Sequence, residues 1–206
     1  MELMNQPDPN INRSVKVLSS ENNANEKLLV SDSYLWQQFK DGSEAAFIKI
    51  YNDNFSLLFN YGFQLVGNQE LIEDCIQDIF IYLRQRRSSL GSTDCIKFYL
   101  MKCMKRKLIK ENKKSKISFS LESHEGFSIT FSHEDFLIDQ QIEQEKSDKL
   151  NIALSLLSKK KREAIYYFYY QNLNYGQISE LFGFSHIKSA RNLVYKALAT
   201  LKDSMK

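Results

Sequence analysis

Little in this 206-residue chain interrupts a helix: it has two prolines and seven glycines. Both prolines, Pro7 and Pro9, stand near the start, so no later position removes a backbone N–H from a helix interior. Long apolar runs are also missing. No stretch approaches the ~20 residues of a membrane span, and direct membrane insertion is not expected. The opening MELMNQPDPNINRS lacks a basic segment followed by an apolar one, which argues against a secretory leader. Cysteine is scarce: Cys75, Cys95 and Cys103 are odd in number, form no C-x-x-C and fall in apolar helical patterns. Buried free thiols in a reducing cytoplasm are the expectation. The three histidines, His124, His133 and His186, have no metal-ligand spacing with the cysteines. A Gly-rich phosphate loop is absent, and the main carboxylate cluster has no acid–base partner in the pattern. No metal, cofactor or enzymatic activity is therefore expected.

Charge is present, and its order is informative although the net value is only +3. Lys102 to Lys116 holds eight Lys/Arg and one acid, Ile117 to Asp148 holds eight acids and one lysine, and Ser158 onward holds nine Lys/Arg against three acids. A basic–acidic–basic order of this kind suggests contact with an anionic partner at two places along the chain.

Residues 1–30 are polar, rich in asparagine and without sustained period, as in a disordered tail. Helical spacing then begins, with Trp36 and Phe39 on a short helix and Ser43 as an N-cap. Phe47, Ile50, Tyr51, Leu58, Tyr61 and Leu65 continue it to Gly67. From about Gln69 to Arg87, Ile72, Ile76, Ile79 and Leu83 form a buried stripe. Glu70, Glu73, Asp74 and Gln77 share an outer face, with Phe80 beside them. That face is either a protein-docking surface or a solvated acidic face with Phe80 in the core. A polar loop, Arg86 to Asp94, precedes a helix starting near Asp94. Its residues Ile96, Leu100, Cys103 and Leu108 point inward, while Lys102, Lys105, Arg106, Lys110 and Lys113 make one basic edge. Phosphate is the commonest partner of such an edge, and Phe98 and Tyr99 at its start are candidates for base stacking. A solubilising face with the two aromatics in the core is the other account of the same spacing.

Residues 117–145 lose helical rhythm and read as a flexible acidic linker. The pattern resumes near Gln144, with Leu150, Ala153, Leu154 and Leu157 apolar. Ser158 is placed to cap the following helix, whose aromatics Tyr166 to Tyr170 surround it and imply a central position. Asn174 is placed to cap a helix from Tyr175, Gly183 to end it, and Ser185 to cap the last helix. There Ala190, Leu193, Val194, Ala197, Leu198 and Leu201 make the inner stripe. Lys188, Arg191, Asn192 and Tyr195 form an outer ridge, with Lys196 beside it. Helix, glycine turn and polar-ridged helix match the helix-turn-helix plan, whose second helix can enter a major groove. Ser185, His186 and Ser189 lie where a helix N-terminus favours phosphate.

Taken together, four stretches resemble a bacterial RNA polymerase sigma factor of the extracytoplasmic-function group. LWQQFKDGSEAAFIKIY (Leu35–Tyr51) is similar to the opening of that family's first domain. EDCIQDIFIYLRQRRSSL (Glu73–Leu90) carries its D-x-x-Q-x-x-F segment at Asp74, Gln77 and Phe80. LNYGQISELFGFS and SARNLVYKALATLK resemble the two helices of its second domain, with Gln177 and Ser179 where a glutamate and an alanine are common. The resemblance covers most of the chain from about residue 32, the linker excepted. It implies an all-α fold of two small helical domains, 31–116 and 146–206, joined by the linker. It further implies that Asp74, Gln77, Asp78 and Phe80 dock on core RNA polymerase. Arg87, Ser88, Ser89, Phe98, Tyr99, Lys102, Lys105, Arg106 and Lys110 would hold the melted minus-ten element. Ser185, His186, Lys188, Ser189, Arg191, Asn192, Tyr195 and Lys196 would meet the minus-thirty-five element. Promoter DNA is thus an implied partner, and an anti-sigma factor is one the family often has. Two other functions fit the residues: a helix-turn-helix regulator acting without polymerase, and an adaptor whose basic faces meet acidic proteins.

Overall fold

The computed structural model describes residues 31–114 and 149–205. The expected tail (1–30) and acidic linker (117–145) lie outside the described residues. The described residues from Asp32 onward belong to one compact unit. All its regular elements among the described residues are helical: α1 (Asp32–Lys40), α2 (Glu44–Val66), α3 (Gln69–Arg86) and α4 (Ile96–Lys114), then α5 over residues 149–155, α6 (Lys159–Ile165), α7 (Tyr175–Phe182) and α8 (Ile187–Ser204). None of them is long and apolar enough to cross a membrane.

Local chemistry sets several helix ends. Ser43 Oγ accepts from Ala46 N (3.2 Å), and Asn68 Oδ1 accepts from Leu71 N (3.0 Å), so each satisfies a donor with no partner inside its helix. Helix α4 begins at Ile96 rather than Asp94 because a distant residue caps it: Ile96 N donates to Asp32 Oδ2 at 2.8 Å. Asn174 and Gln177 form a reciprocal capping box, with both bonds at 2.9 Å. Gln177 thereby does what a glutamate at that position would do. Ser158 and Ser185 do not cap as expected. Ser158 holds the N-cap position of α6 without a side-chain bond, and the turn before α8 runs one residue further, to His186, which also caps with backbone alone.

Packing follows the apolar stripes. Helices α1 to α4 bury Trp36, Phe39, Ile50, Leu58, Ile72, Ile76, Leu83 and Leu100 almost completely. Helices α2 and α4 approach closely at Gly62, where a Cβ would stand 2.6 Å from Met104 Cε and 3.0 Å from Ile72 Cγ2. In the C-terminal block, Ala164, Tyr167, Ile178, Ala190, Val194 and Ala197 are buried. The aromatic run does not close round its axis as expected. Tyr166–Tyr170 is a π-helical turn, which buries Tyr167, leaves Tyr166, Phe168 and Tyr170 half-buried, and turns Tyr169 outward.

The two blocks meet at a buried polar cluster. Tyr61 Oη on α2 lies 2.7 Å from Tyr167 Oη. Tyr167 donates to Glu163 Oε1 at 2.5 Å, so the proton shared between the phenols is Tyr61's. Lys105 Nζ on α4 reaches the same Glu163 oxygen at 2.6 Å and Tyr167 Oη at 3.4 Å. Burial, helped by the Glu163 charge, holds Tyr61 far above the ordinary phenol range. For Tyr167 burial comes first, followed by the adjacent Tyr61 phenol and Glu163. A phenol raised in this way favours the folded state while neutral. Its contribution is complete below the unfolded value near 10 and is lost as pH rises through the folded value.

Two outcomes are expected. In an absorbance titration of the eleven tyrosines, Tyr61 and Tyr167 ionise only with unfolding, and stability stays level up to a pH of about 10 and then falls. Asn174→Ala, which breaks the capping box, costs about 1 kcal/mol in urea unfolding.

Candidate functional site

Three separate surfaces carry the residues expected to be functional. The first is a groove of about 640 Å³ between α2 and α3, lined by Phe47, Ile48, Tyr51, Phe55, Glu73, Asp74, Ile76, Gln77, Phe80, Ile81 and Arg84. Phe80 forms the floor. It is buried to 4% exposure and meets Phe47 and Tyr51 edge-on, at 6.0 and 4.9 Å between ring centres. Spacing offered either a docking aromatic or a core residue; the geometry makes Phe80 a buried side chain that also lines the groove. Glu73, Asp74 and Gln77 are exposed on the rim. Asp78 is not among the lining residues: it turns toward α4 and pairs with Lys107 at 2.6 Å. That hydrogen bond raises the Lys107 ammonium pKa.

Four of the eleven lining residues come from α2, a helix whose spacing alone did not mark it for docking. Its signal was present in the pattern. Tyr51, Phe55, Phe59 and Phe63 recur every four residues, and their rings follow one another at 5.5, 6.4 and 6.4 Å. Ile48 is 55% exposed and Ile81 48%, which is unusual for large apolar side chains flanking a well-packed core. An apolar trough with carboxylates on its rim suits a partner helix whose apolar strip is bordered by basic residues.

The second surface is the loop after α3 and the edge of α4. Ser88 and Ser89 are exposed, whereas Arg87 is half-buried and pairs with Glu44 at 3.2 Å. Trp36 Nε1 donates to Gly91 O at 2.8 Å and pins the loop to α1. Tyr99 packs on Trp36 with ring centres 5.0 Å apart, and burial pushes its phenol up to about 12. Phe98 is half-buried beneath Lys102, whose Nζ lies 5.2 Å from the ring centre. The basic edge divides into two parts. Arg106 and Lys110 are exposed, while Lys102 pairs with Glu180 of α7 at 2.5 Å and Lys105 with Glu163 of α6.

The third surface is the start of α8. Gly183, at φ +67°, reverses the chain after α7 in the left-handed region that glycine enters without a Cβ penalty. Ser179, buried beneath the turn, donates to Phe184 O at 3.3 Å. Ser185, His186, Lys188, Ser189, Arg191, Asn192, Tyr195 and Lys196 are all exposed. Ala190, Val194, Ala197 and Leu201 face the core. Among the described residues, no three His, Cys, Asp or Glu side chains gather as metal ligands.

The all-helical fold has counterparts among solved structures. The fold is similar to that of CnrH in complex with the cytosolic domain of CnrY, with a TM-score of 0.51 and 14% identity over 84% of this chain and 95% of that one. It is similar too to the sigma factor RpoE, solved in complex with the anti-sigma factor NepR from Bartonella quintana. There the TM-score is 0.52 and the identity 17%, over 77% of this chain and 96% of that one. No protein-family model matches the sequence. No curated protein matches it either.

Because Phe80 is part of the core, Phe80→Ala costs about 3–5 kcal/mol of stability and does not isolate docking. Asp74→Lys changes only the rim. It is expected to leave thermal unfolding within about 0.5 kcal/mol of wild type, and matched melting curves check this.

Proposed function

We propose that the chain is a sigma factor that binds core RNA polymerase and directs promoter recognition, strand opening and transcription initiation. One observation carries this. The residues that resemble the family's docking segment, Asp74, Gln77 and Phe80, line a single apolar groove with an acidic rim. The motif residues and the groove fall on the same face of α3. The fold shared with a solved sigma factor supports the same conclusion.

The proposed division of labour gives 31–116 to polymerase and the minus-ten element, and 146–206 to the minus-thirty-five element. The chain makes and breaks no covalent bond. Held on polymerase, its two basic surfaces would stand at a fixed separation along the promoter. The exposed ridge of α8 would lie in the major groove. There Arg191 is suited to the acceptor edge of guanine and Asn192 to adenine, while Lys188 and the helix N-terminus meet phosphate. Unstacking a base costs a few kcal/mol, which stacking and hydrogen bonds near Phe98, Tyr99 and the Arg87–Ser89 loop would have to offset. An anti-sigma protein is a proposed regulatory partner, by likeness to RpoE, which was solved with one. A regulator working without polymerase would need only the α8 ridge, so a tight footprint from the chain alone would mark that alternative.

Asp74→Lys is expected to weaken co-elution with core polymerase at least about tenfold, or ~1.4 kcal/mol; unchanged binding removes the groove from docking. Arg191→Ala and Asn192→Ala, assayed as holoenzyme on promoters with single-base changes upstream, should each lose ~1–3 kcal/mol of discrimination. Full discrimination in both variants would show that α8 does not read bases.

A further inference from the structure

Helix α8 opens on an isoleucine. Ser185, expected at the cap, stands in the turn, His186 takes the N-cap position, and Ile187 becomes the first helical residue. It is 59% exposed. A lone exposed isoleucine carries little information; its surroundings here carry more. Ile187, Arg191 and Tyr195 stand at i, i+4 and i+8, so they follow one another along the ridge, with Lys188 and Asn192 beside them. All five are exposed. Four of them carry a hydrogen-bonding group, and Ile187 carries none.

The side chain is also held. Gly176, the second residue of α7, lies against it: a Cβ there would stand 3.9 Å from Ile187 Cδ1, an ordinary contact distance. The α7 backbone thus braces one flank of Ile187 and leaves the rest to solvent. Branching at Cβ holds χ1 mainly to one rotamer in a helix, so ordering this side chain against a partner costs little.

We propose that Ile187 is a specificity-determining residue for thymine: its exposed flank packs on the C5 methyl group of one thymine in the upstream element, close to the bases that Arg191 and Asn192 read. The inference deepens the proposed function and rests on its placing of α8 in the major groove.

The thymine methyl is the one apolar group that the four bases present on the major-groove edge. Cytosine, the other pyrimidine, presents an amino donor there. Against Ile187 that donor loses water and gains no acceptor, so the same side chain favours thymine and disfavours cytosine. Residues in the first turns of a recognition helix are the ones that reach base edges. One helical turn, ~6 Å along the axis, separates Ile187 from Arg191. With base pairs about 3.4 Å apart, the thymine falls within about two base pairs of the position that Arg191 reads.

The test uses core polymerase loaded with the full chain and a promoter duplex obtained by run-off from genomic fragments. Each thymine of the upstream element is replaced singly by deoxyuridine, which lacks only the C5 methyl. The wild-type chain is expected to lose about fourfold in affinity at one thymine, the worth of one methyl group removed from water. That thymine is expected within about two base pairs of the position where Arg191→Ala relaxes discrimination. Ile187→Ala is expected to bind the thymine and uracil forms equally there, and Ile187→Val to keep the preference. Equal binding of both forms by the wild-type chain at every position overturns the assignment, as does a preference that survives in Ile187→Ala; either result leaves start-site selection, and so the proposed function, standing. If the chain directs no initiation, the proposed function fails, and the comparison is read with the full chain alone on a random duplex pool synthesised with thymidine or with deoxyuridine. Preferential retention of the thymidine pool, abolished by Ile187→Ala, then supports the assignment, and equal retention of the two pools overturns it.

Discussion

A single carboxylate, Glu163, organises the meeting of the two halves of this molecule. It accepts from the Tyr167 phenol and the Lys105 ammonium at once, and Tyr167 passes the connection on to Tyr61. None of these groups is favourable to bury alone; together each satisfies another. The cluster therefore fixes which faces of α4 and α6 can adjoin. It also takes Lys105 out of the α4 cation row, in which Arg106 and Lys110 are exposed among the described residues.

The groove on the other side of the N-terminal block follows a different logic. Its floor is part of the core, so its shape is as rigid as the packing of Phe47, Tyr51 and Phe80. Its rim consists of exposed side chains whose charge can change at small cost to stability. A rigid apolar floor with an adjustable acidic border suits a durable contact with a helical partner, and the proposed docking of polymerase makes that use of it.

Much of this architecture was legible from spacing. The i, i+3, i+4 recurrence of apolar residues placed α2, α3, α7 and α8, and Ser43, Asn174 and Gly183 stand at helix ends because their side chains, or the lack of one, meet unpaired backbone groups. The start of α4 was not legible: its cap is Asp32, 64 residues away, which no local pattern reveals. The same holds for Lys102 and Lys105. On the helix they read as one basic edge with Arg106 and Lys110, and only the packing of α6 and α7 gives them carboxylate partners. Asp78 was assigned to docking with Asp74 by the resemblance, and its pairing with Lys107 is revealed only by the packing of α3 beside α4. The aromatic row on α2 was visible every fourth residue, yet the place of Tyr51 and Phe55 in one wall of a groove needed α3 beside it.

Charge order, groove and exposed ridge are each used by the proposed function, in which the chain chooses where polymerase starts. Run-off transcription with purified core polymerase on a library of genomic fragments tests that most directly. Discrete start sites that depend on the added chain and share sequence at two upstream positions are predicted. A pattern identical with and without the chain would contradict the account.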